Sequence, residues 1–271
     1  MRTVAVIPAR YASTRLPAKA LAAETGKYLV QHVYERVHES GRLDQVLVAT
    51  DDERIVAAVK SFGGEVRMTR ADHVSGTDRV AEIADNLGLS GDDIVLNVQG
   101  DEAEITADVV DGVVESLAND TTGCRIATAA APFDEAGPKS GPSSPLDPNR
   151  VKVVLDERGR ALYFSRSPIP YPRDTGGAVD RPSRWLLHLG VYAFRADTLR
   201  LITSGGSRCV NELERAESLE QLRWLAAGHS IAVVKVQHRF IGIDTPEDYA
   251  AFVRRVKSTQ STGQAAHATT R

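Results

Sequence analysis

Three cations crowd one short loop. Arg10, Arg15 and Lys19 follow an apolar run, Val4 to Ile7, with no acidic residue between them. Arg offers phosphate oxygens a planar fork and Lys a compact charge. The set suits a triphosphate; ordinary surface solvation is the alternative, and position at a strand's carboxyl end favours the ligand. A second candidate is "VLNVQGDEAEI", an apolar run that ends in Gln99, Gly100, Asp101 and Glu102. A carboxylate at a strand end is placed to hold Mg²⁺, a hard ion that keeps waters and bridges phosphates. It could equally begin a helix. Gly100 lets backbone approach closely. "GIDTPEDY" supplies a third feature, Asp244, a metal carboxylate or a turn residue before a capped helix. Two carboxylates on separate strand ends can flank one metal, but their meeting is not written in the sequence.

Two further stretches carry polar groups. "TRADHVSGTDR" holds Arg70, Asp72, His73, Ser75 and Asp78, compact hydrogen-bonding groups suited to a nucleobase edge, with Thr77 as a helix cap. His188 lies inside the apolar "LLHLGVY". A core histidine is the default there, and a substrate-facing one the second reading.

The elements that must position these groups alternate. "TVAVIP", "QVLVAT", "EVRMT", "DDIVLNV" and "RIATAAAP" read as strands. Helices are expected over 28–39, 52–62, 77–88 and 107–117, the second stopped by Gly63-Gly64 and the third by Gly88. Such alternation predicts a mostly parallel central sheet covered by helices on both faces, an α/β Rossmann-like class, with ligands at the strands' carboxyl ends. The cationic loop leaves the carboxyl end of the first strand, facing that crevice. Asp134 to Asp147, "DEAGPKSGPSSPLD", reads as a mobile surface loop. Beyond it the pattern turns β-rich: a hairpin over "VKVVLDERGRALYFS", a Pro-rich stretch and the strand "LLHLGVYAFR". One long helix is expected over Val210 to Ala227, then the strand "IAVVKV" and a Thr-capped helix from "TPEDYAAFVRRV". A single domain over 1–257 is expected, in two halves, 1–133 and 148–257, on either side of the 134–147 loop. The polar tail, 258–271, is expected to be disordered.

Composition narrows the function classes. The chain has 271 residues and a formal net charge of −3, enough for a self-sufficient core and too little charge for a general nucleic-acid or membrane binder. The two cysteines, Cys124 and Cys209, match no metal spacing. No leader is expected before the first strand and no apolar run reaches transmembrane length, so a cytoplasmic protein is expected. The P-loop pattern fails at Leu21 and Tyr28, and no G-x-G-x-x-G, H-E-x-x-H or G-x-S-x-G occurs.

Taken in order, "IPARYASTRLPAK", "TRADHVSGTDR", "NVQGDE", "VKVVLD", "ALYFSRSPIP", "HLGVYAF", "ESLEQLRWL" and "GIDTPEDY" resemble the 3-deoxy-manno-octulosonate cytidylyltransferase (CMP-Kdo synthetase) family from about residue 2 to 256. The resemblance implies a nucleotidyltransferase fold with a nucleotide-binding half (1–133) and a sugar-binding and dimerisation half (148–257), Mg²⁺ dependence, a homodimer, and conversion of CTP and Kdo to CMP-Kdo and pyrophosphate for lipopolysaccharide biosynthesis. It implies that Arg10, Arg15 and Lys19 grip the CTP phosphates, that Arg70 and Ser75 lie by the cytosine, and that Asp101 and Asp244 hold magnesium. Lys19, Arg10, Asp101 and Asp244 would carry the chemistry, with a metal-activated sugar hydroxyl and no obligatory general base. Gln99, Arg166, His188, Tyr192, Glu217 and Gln221 would meet the sugar acid. The sequence departs from the family pattern in three places: Ala18 where the loop usually has Gly, Ala103-Glu104 where Pro and an apolar residue usually follow, and a long 134–147 loop. These departures leave open a related acceptor, such as 8-amino-Kdo or a sialic acid, and a non-catalytic nucleotide-binding regulator is the reading from another class.

Overall fold

Nine strands form one sheet in the computed structural model, which describes residues 1–13, 16–204, 210–240 and 242–268, with side chains as far as 259. Arg15 and Cys209 lie outside the described residues. Strand β1 (Thr3–Pro8) is fully buried, and its alternation feeds both faces. Ala5 and Ile7 join one apolar cluster, and Val4 and Val6 the other.

Parallel neighbours flank β1: β2 (Gln45–Thr50) on one side and β4 (Ile94–Val98) on the other, with β3 (Val66–Met68) beyond β2. The order then departs from a purely parallel sheet. β8 (Leu186–Arg195) inserts antiparallel between β4 and β5 (Ile126–Pro132), and β9 (Ile231–Lys235) pairs parallel to β5. The expected hairpin is present as β6 (Lys152–Leu155) and β7 (Ala161–Ser165), with β6 also pairing β8.

Helices cover both faces. α1 (Leu29–His38), α2 (Glu53–Ser61), α4 (Ala107–Ala118) and α8 (Pro246–Ala268) pack on the first cluster through residues such as Val33, Val59, Val113 and Phe252. α3 (Gly76–Asn86), α5 (Ala196–Thr203) and α7 (Gln221–Ala226) pack on the second through Val80, Leu199 and Trp224. α8 continues past Ser258 into the segment that composition reads as a polar tail. Among the described residues, no helix is long and apolar enough to cross a membrane.

Two expectations change, and one helix is new. The cap of α3 is Ser75, whose hydroxyl accepts from the Asp78 amide at 3.1 Å, and Thr77 is already inside the helix. The long helix over 210–227 is two, α6 (Glu212–Glu217) and α7. Between them Ser218 takes a left-handed conformation, φ 51°. Glu217 is drawn sideways there, accepting from Ser165 Oγ at 2.6 Å and from the Arg166 amide at 2.8 Å. The apolar spacing misleads here: α6 buries none of its residues, with Leu213 exposed, and only α7 packs on the core. Helix α5, which follows β8 directly, carries no signal that separates it from the strand.

Candidate active site

Strand ends build the site. Lys19 opens a short 3₁₀ turn, Lys19–Leu21, after the loop that leaves β1. Asp101 follows β4, and Asp244 precedes α8. The Ile243 amide donates to the Asp101 carbonyl at 3.0 Å, and this bond brings two distant segments together. Thr245 and Asp248 cap each other, Asp248 N to Thr245 Oγ1 at 3.1 Å and Thr245 N to Asp248 Oδ2 at 3.0 Å, fixing the chain beside Asp244.

The two carboxylates meet on one cation. Lys19 Nζ lies 2.6 Å from Asp101 Oδ2 and 3.3 Å from Asp244 Oδ1. Burial alone would lower the pKa of this ammonium; Asp101 and then Asp244 outweigh it and hold it above the ordinary lysine value. The cationic loop that lacks acid in sequence therefore finds it in space.

Two cavities share this junction. The first, about 430 Å³, is lined by Arg10, Lys19, Ser75, Gly76, Gln99, Asp101 and Asp244 among others. One Nη of Arg10 is buried there with no hydrogen-bond partner among the described residues. The N-terminus of α3 opens at the same wall, so backbone donors add to its positive potential. At Gly100 a Cβ would sit 2.9 Å from the Pro8 carbonyl, so this turn packs on β1 only as glycine.

The second cavity, about 220 Å³, adds Glu102, Asn149, Arg150, His188 and Gly190 to Gln99, Asp101 and Asp244. Glu102 is 7% exposed, with Oε2 unpartnered. Burial, then the charges of Asp101 and Asp244, raise its carboxyl well above the usual carboxylate range. A Cβ on Gly190 would lie 2.5 Å from Glu102 Oε1, so glycine there makes room for the carboxyl. Burial lowers the His188 pKa to about 3, so its ring is neutral. Thr128 Oγ1 donates to the Val191 carbonyl at 2.7 Å and so accepts from His188 Nε2 at 3.1 Å. This assigns the proton to Nε2 and leaves Nδ1 as an acceptor.

Other residues singled out by sequence occupy different places. Tyr192 is buried behind His188, ring centroids 5.3 Å apart, and also packs on Phe194 and Trp224. Arg166 gives its guanidinium to the carbonyls of Glu217, Pro148 and Ser218. With Glu217 held by Ser165, this pair fastens α6 to β7. Gln221 is buried on α7. Arg70 is exposed beside Asp72 and Glu82, bordering a third cavity. Glu104 turns away from the junction and clasps Arg255 of α8 at 2.6 and 2.7 Å. Ala18 adopts φ 53°, the left-handed region that favours glycine.

Sequence reasoning passed over Glu102, Asn149, Arg150 and Glu220. Glu220 accepts from Thr77 Oγ1 at 2.7 Å, joining α7 to the start of α3. A signal for Asn149 and Arg150 was present: "DPNR", an Asp-Pro-Asn turn feeding straight into a strand, is turn chemistry next to a binding crevice.

The donor chemistry fits a hard divalent ion, since two carboxylates from separate segments already converge on one cation. Among the described residues no three His, Cys, Asp or Glu side chains gather as a metal site. A two-carboxylate set suits an ion whose other ligands are phosphate oxygens and water.

Comparison with known proteins gives the family. The cytidylyltransferase family model matches residues 4–231. A 3-deoxy-manno-octulosonate cytidylyltransferase of Syntrophobacter fumaroxidans is 48% identical over 253 residues, covering 93% of this chain and 96% of the relative. Its namesake from Syntrophotalea carbinolica is 45% identical, covering 92% and 96%. A solved CMP:2-keto-3-deoxy-manno-octonic acid synthetase complexed with CTP superposes with a TM-score of 0.81 at 40% identity, covering 97% of this chain and 100% of that one.

Proposed function

The chain belongs to the cytidylyltransferase family, and from that premise we propose that it transfers a cytidylyl group from CTP to Kdo, giving CMP-Kdo and pyrophosphate for lipopolysaccharide biosynthesis. The observation that carries the reading is the junction itself: Gln99, Asp101 and Asp244 line both cavities. A nucleotide in one and a sugar acid in the other would meet there. Relatives named for Kdo, at 45–48% identity, favour this acceptor over 8-amino-Kdo or a sialic acid, and favour an enzyme over a silent regulator.

The reaction brings two anions together, so charge compensation and positioning are the main tasks. The anomeric 2-hydroxyl of the sugar attacks the α-phosphorus of CTP and gives up its proton to solvent, the new P–O bond forms, and pyrophosphate leaves with the electron pair of the broken one. Arg10 and Lys19, with Arg15, neutralise the triphosphate. Ser75 and the start of α3 receive the nucleoside side, with Arg70 close to this wall in sequence. Asp101 and Asp244 would hold Mg²⁺, which supplies charge neutralisation at phosphate oxygens and acidifies the attacking hydroxyl. Gln99 orients the acceptor, and neutral His188 accepts a hydrogen bond from it. Tyr192 supports the His188 ring, while Arg166, Glu217 and Gln221 shape the sugar side from behind.

The test is pyrophosphate release with CTP, Mg²⁺ and Kdo, against controls without the sugar. Asp101→Ala and Asp244→Ala are each expected to lose turnover by roughly 10³-fold or more while remaining folded. Full activity in either variant removes the metal assignment. The same reading extends to a cytoplasmic homodimer. Exposed Leu162 and Tyr171, 62% and 65% accessible, support a covered face, and light scattering tests it.

A further inference from the structure

The acceptor cavity poses an electrostatic problem. Asp101, Asp244 and Glu102 all border it, and a sugar acid arrives with a carboxylate of its own. Among the described lining residues Arg150 is the sole cation. Resting on the sugar-acid reading above, we propose that Arg150 is the residue that binds the acceptor's carboxylate and so selects a sugar acid over a neutral sugar.

The guanidinium stands between two carboxylates at ion-pair distance without hydrogen-bonding either of them. Its side chain is 16% exposed, and its nearest acidic atoms, Asp147 Oδ2 and Asp248 Oδ1, both lie 3.8 Å away, beyond hydrogen-bond reach. Its Nε is buried with no hydrogen-bond partner among the described residues. Asp147 accepts from the Ser143 and Asn149 amides, each at 2.8 Å, and Asp248 spends Oδ2 on the cap of α8 while its Oδ1 faces Arg150. A buried Nε–H without an acceptor is costly unless a ligand satisfies it. Carboxylate is the group whose geometry matches that planar fork.

The backbone that carries Arg150 is fixed. Its amide donates to the Asp147 carbonyl at 3.0 Å. Two residues on, the buried Lys152 ammonium clamps the Asp147 and Arg166 carbonyls at 2.9 and 2.6 Å. The rest of the cavity offers hydroxyl-binding groups: the Asn149 amide, neutral His188, and Glu102 with its unpartnered Oε2. One cation for one carboxylate and several polar groups for hydroxyls is the profile of a polyhydroxy acid.

The experiment compares Kdo with its C1 carboxamide as acceptors for wild type, Arg150→Ala and Arg150→Lys, with CTP and Mg²⁺ present. Arg150→Ala is expected to raise the KM for Kdo roughly 10- to 100-fold, the range of one charged hydrogen-bonded contact. The KM for CTP should stay within about twofold, and the preference for Kdo over the carboxamide should shrink by the same factor as the KM rises. Arg150→Lys should recover part of that preference. An active wild type whose preference survives Arg150→Ala overturns this proposal alone, as does an equal loss for both sugars, which marks a structural role. A wild type that is idle with Kdo overturns the underlying function and this proposal with it. CTP binding by each variant reports folding; if Arg150→Ala does not fold, Arg150→Gln, which also removes the charge, is read by the same criterion.

Discussion

The two cavities solve the problem of a charged ligand in opposite ways. The nucleotide cavity keeps ionised groups at a partly open surface: Arg10, Lys19, and the carboxylates that Lys19 bridges. The acceptor cavity uses burial instead. It makes His188 neutral, raises Glu102, and leaves Arg150 as the single cation among its described lining residues. On the proposed function the first would neutralise a polyanion whose charge is its main feature. The second would read an outline of hydroxyls, for which neutral donors and acceptors in a low dielectric discriminate better than loose charges. The difference follows from placement. The first cavity is walled by loops leaving strand ends, the second by the flank of β8.

That contrast can be broken at several points. The largest effect is expected on the ionic side. Lys19→Ala should cost roughly 2–4 kcal/mol of transition-state stabilisation, as loss of one preorganised donor does elsewhere, and leave Asp101 and Asp244 facing each other without their cation. Steady-state pyrophosphate release measures it, and a loss below tenfold would remove Lys19 from the phosphate-binding set.

On the buried side the expected signature is a pH slope. The His188 pKa falls from 6.5 in the unfolded chain to about 3 in the folded one. As pH falls through 6.5 the unfolded chain takes up the proton first, so stability is lost between 6.5 and 3. From pH 7 to pH 5 this amounts to about 2 kcal/mol. Urea unfolding of wild type and His188→Gln at the two pH values isolates it, since the other titrating groups are common to both. Equal slopes would mean that His188 is not held neutral.

The smallest effect sharpens the comparison by touching neither cavity's chemistry. Ala18 sits at φ 53° directly before Lys19. Ala18→Gly should stabilise the fold by about 1 kcal/mol, read as a rise in melting temperature. A fall would mean that the alanine stiffens the loop enough to offset its strain.

How much of this was legible in sequence depends on range. β1, β2 and β4 are apolar runs closed by polar loops, and their pattern alone places Lys19 and Asp101 at carboxyl ends. Asp244 was visible as a carboxylate before a capped helix. Its meeting with Asp101 was not, because that rests on one backbone bond, Ile243 to Asp101, between segments far apart in the chain. Ser75 and Thr77 compete as caps by type, and only the path of the chain decides. The break at Ser218 is hidden because Glu217 is captured by Ser165 and Arg166 from another strand. Glu102 and Arg150 are ordinary charged residues in sequence; burial and a lack of partners are what single them out. The family resemblance covered the chain well and still could not display either property.

Strand β8 has a last consequence. It pairs along β4 on one edge and β5 on the other, and it carries His188 while β4 runs out into Gln99. Gln99 and His188, both lining the second cavity, thus come from neighbouring strands of one sheet. The distance between those strands is set by the backbone pitch of a sheet, about 4.8 Å. The span that these two side chains offer a ligand is gauged by a ruler that no side-chain replacement can lengthen.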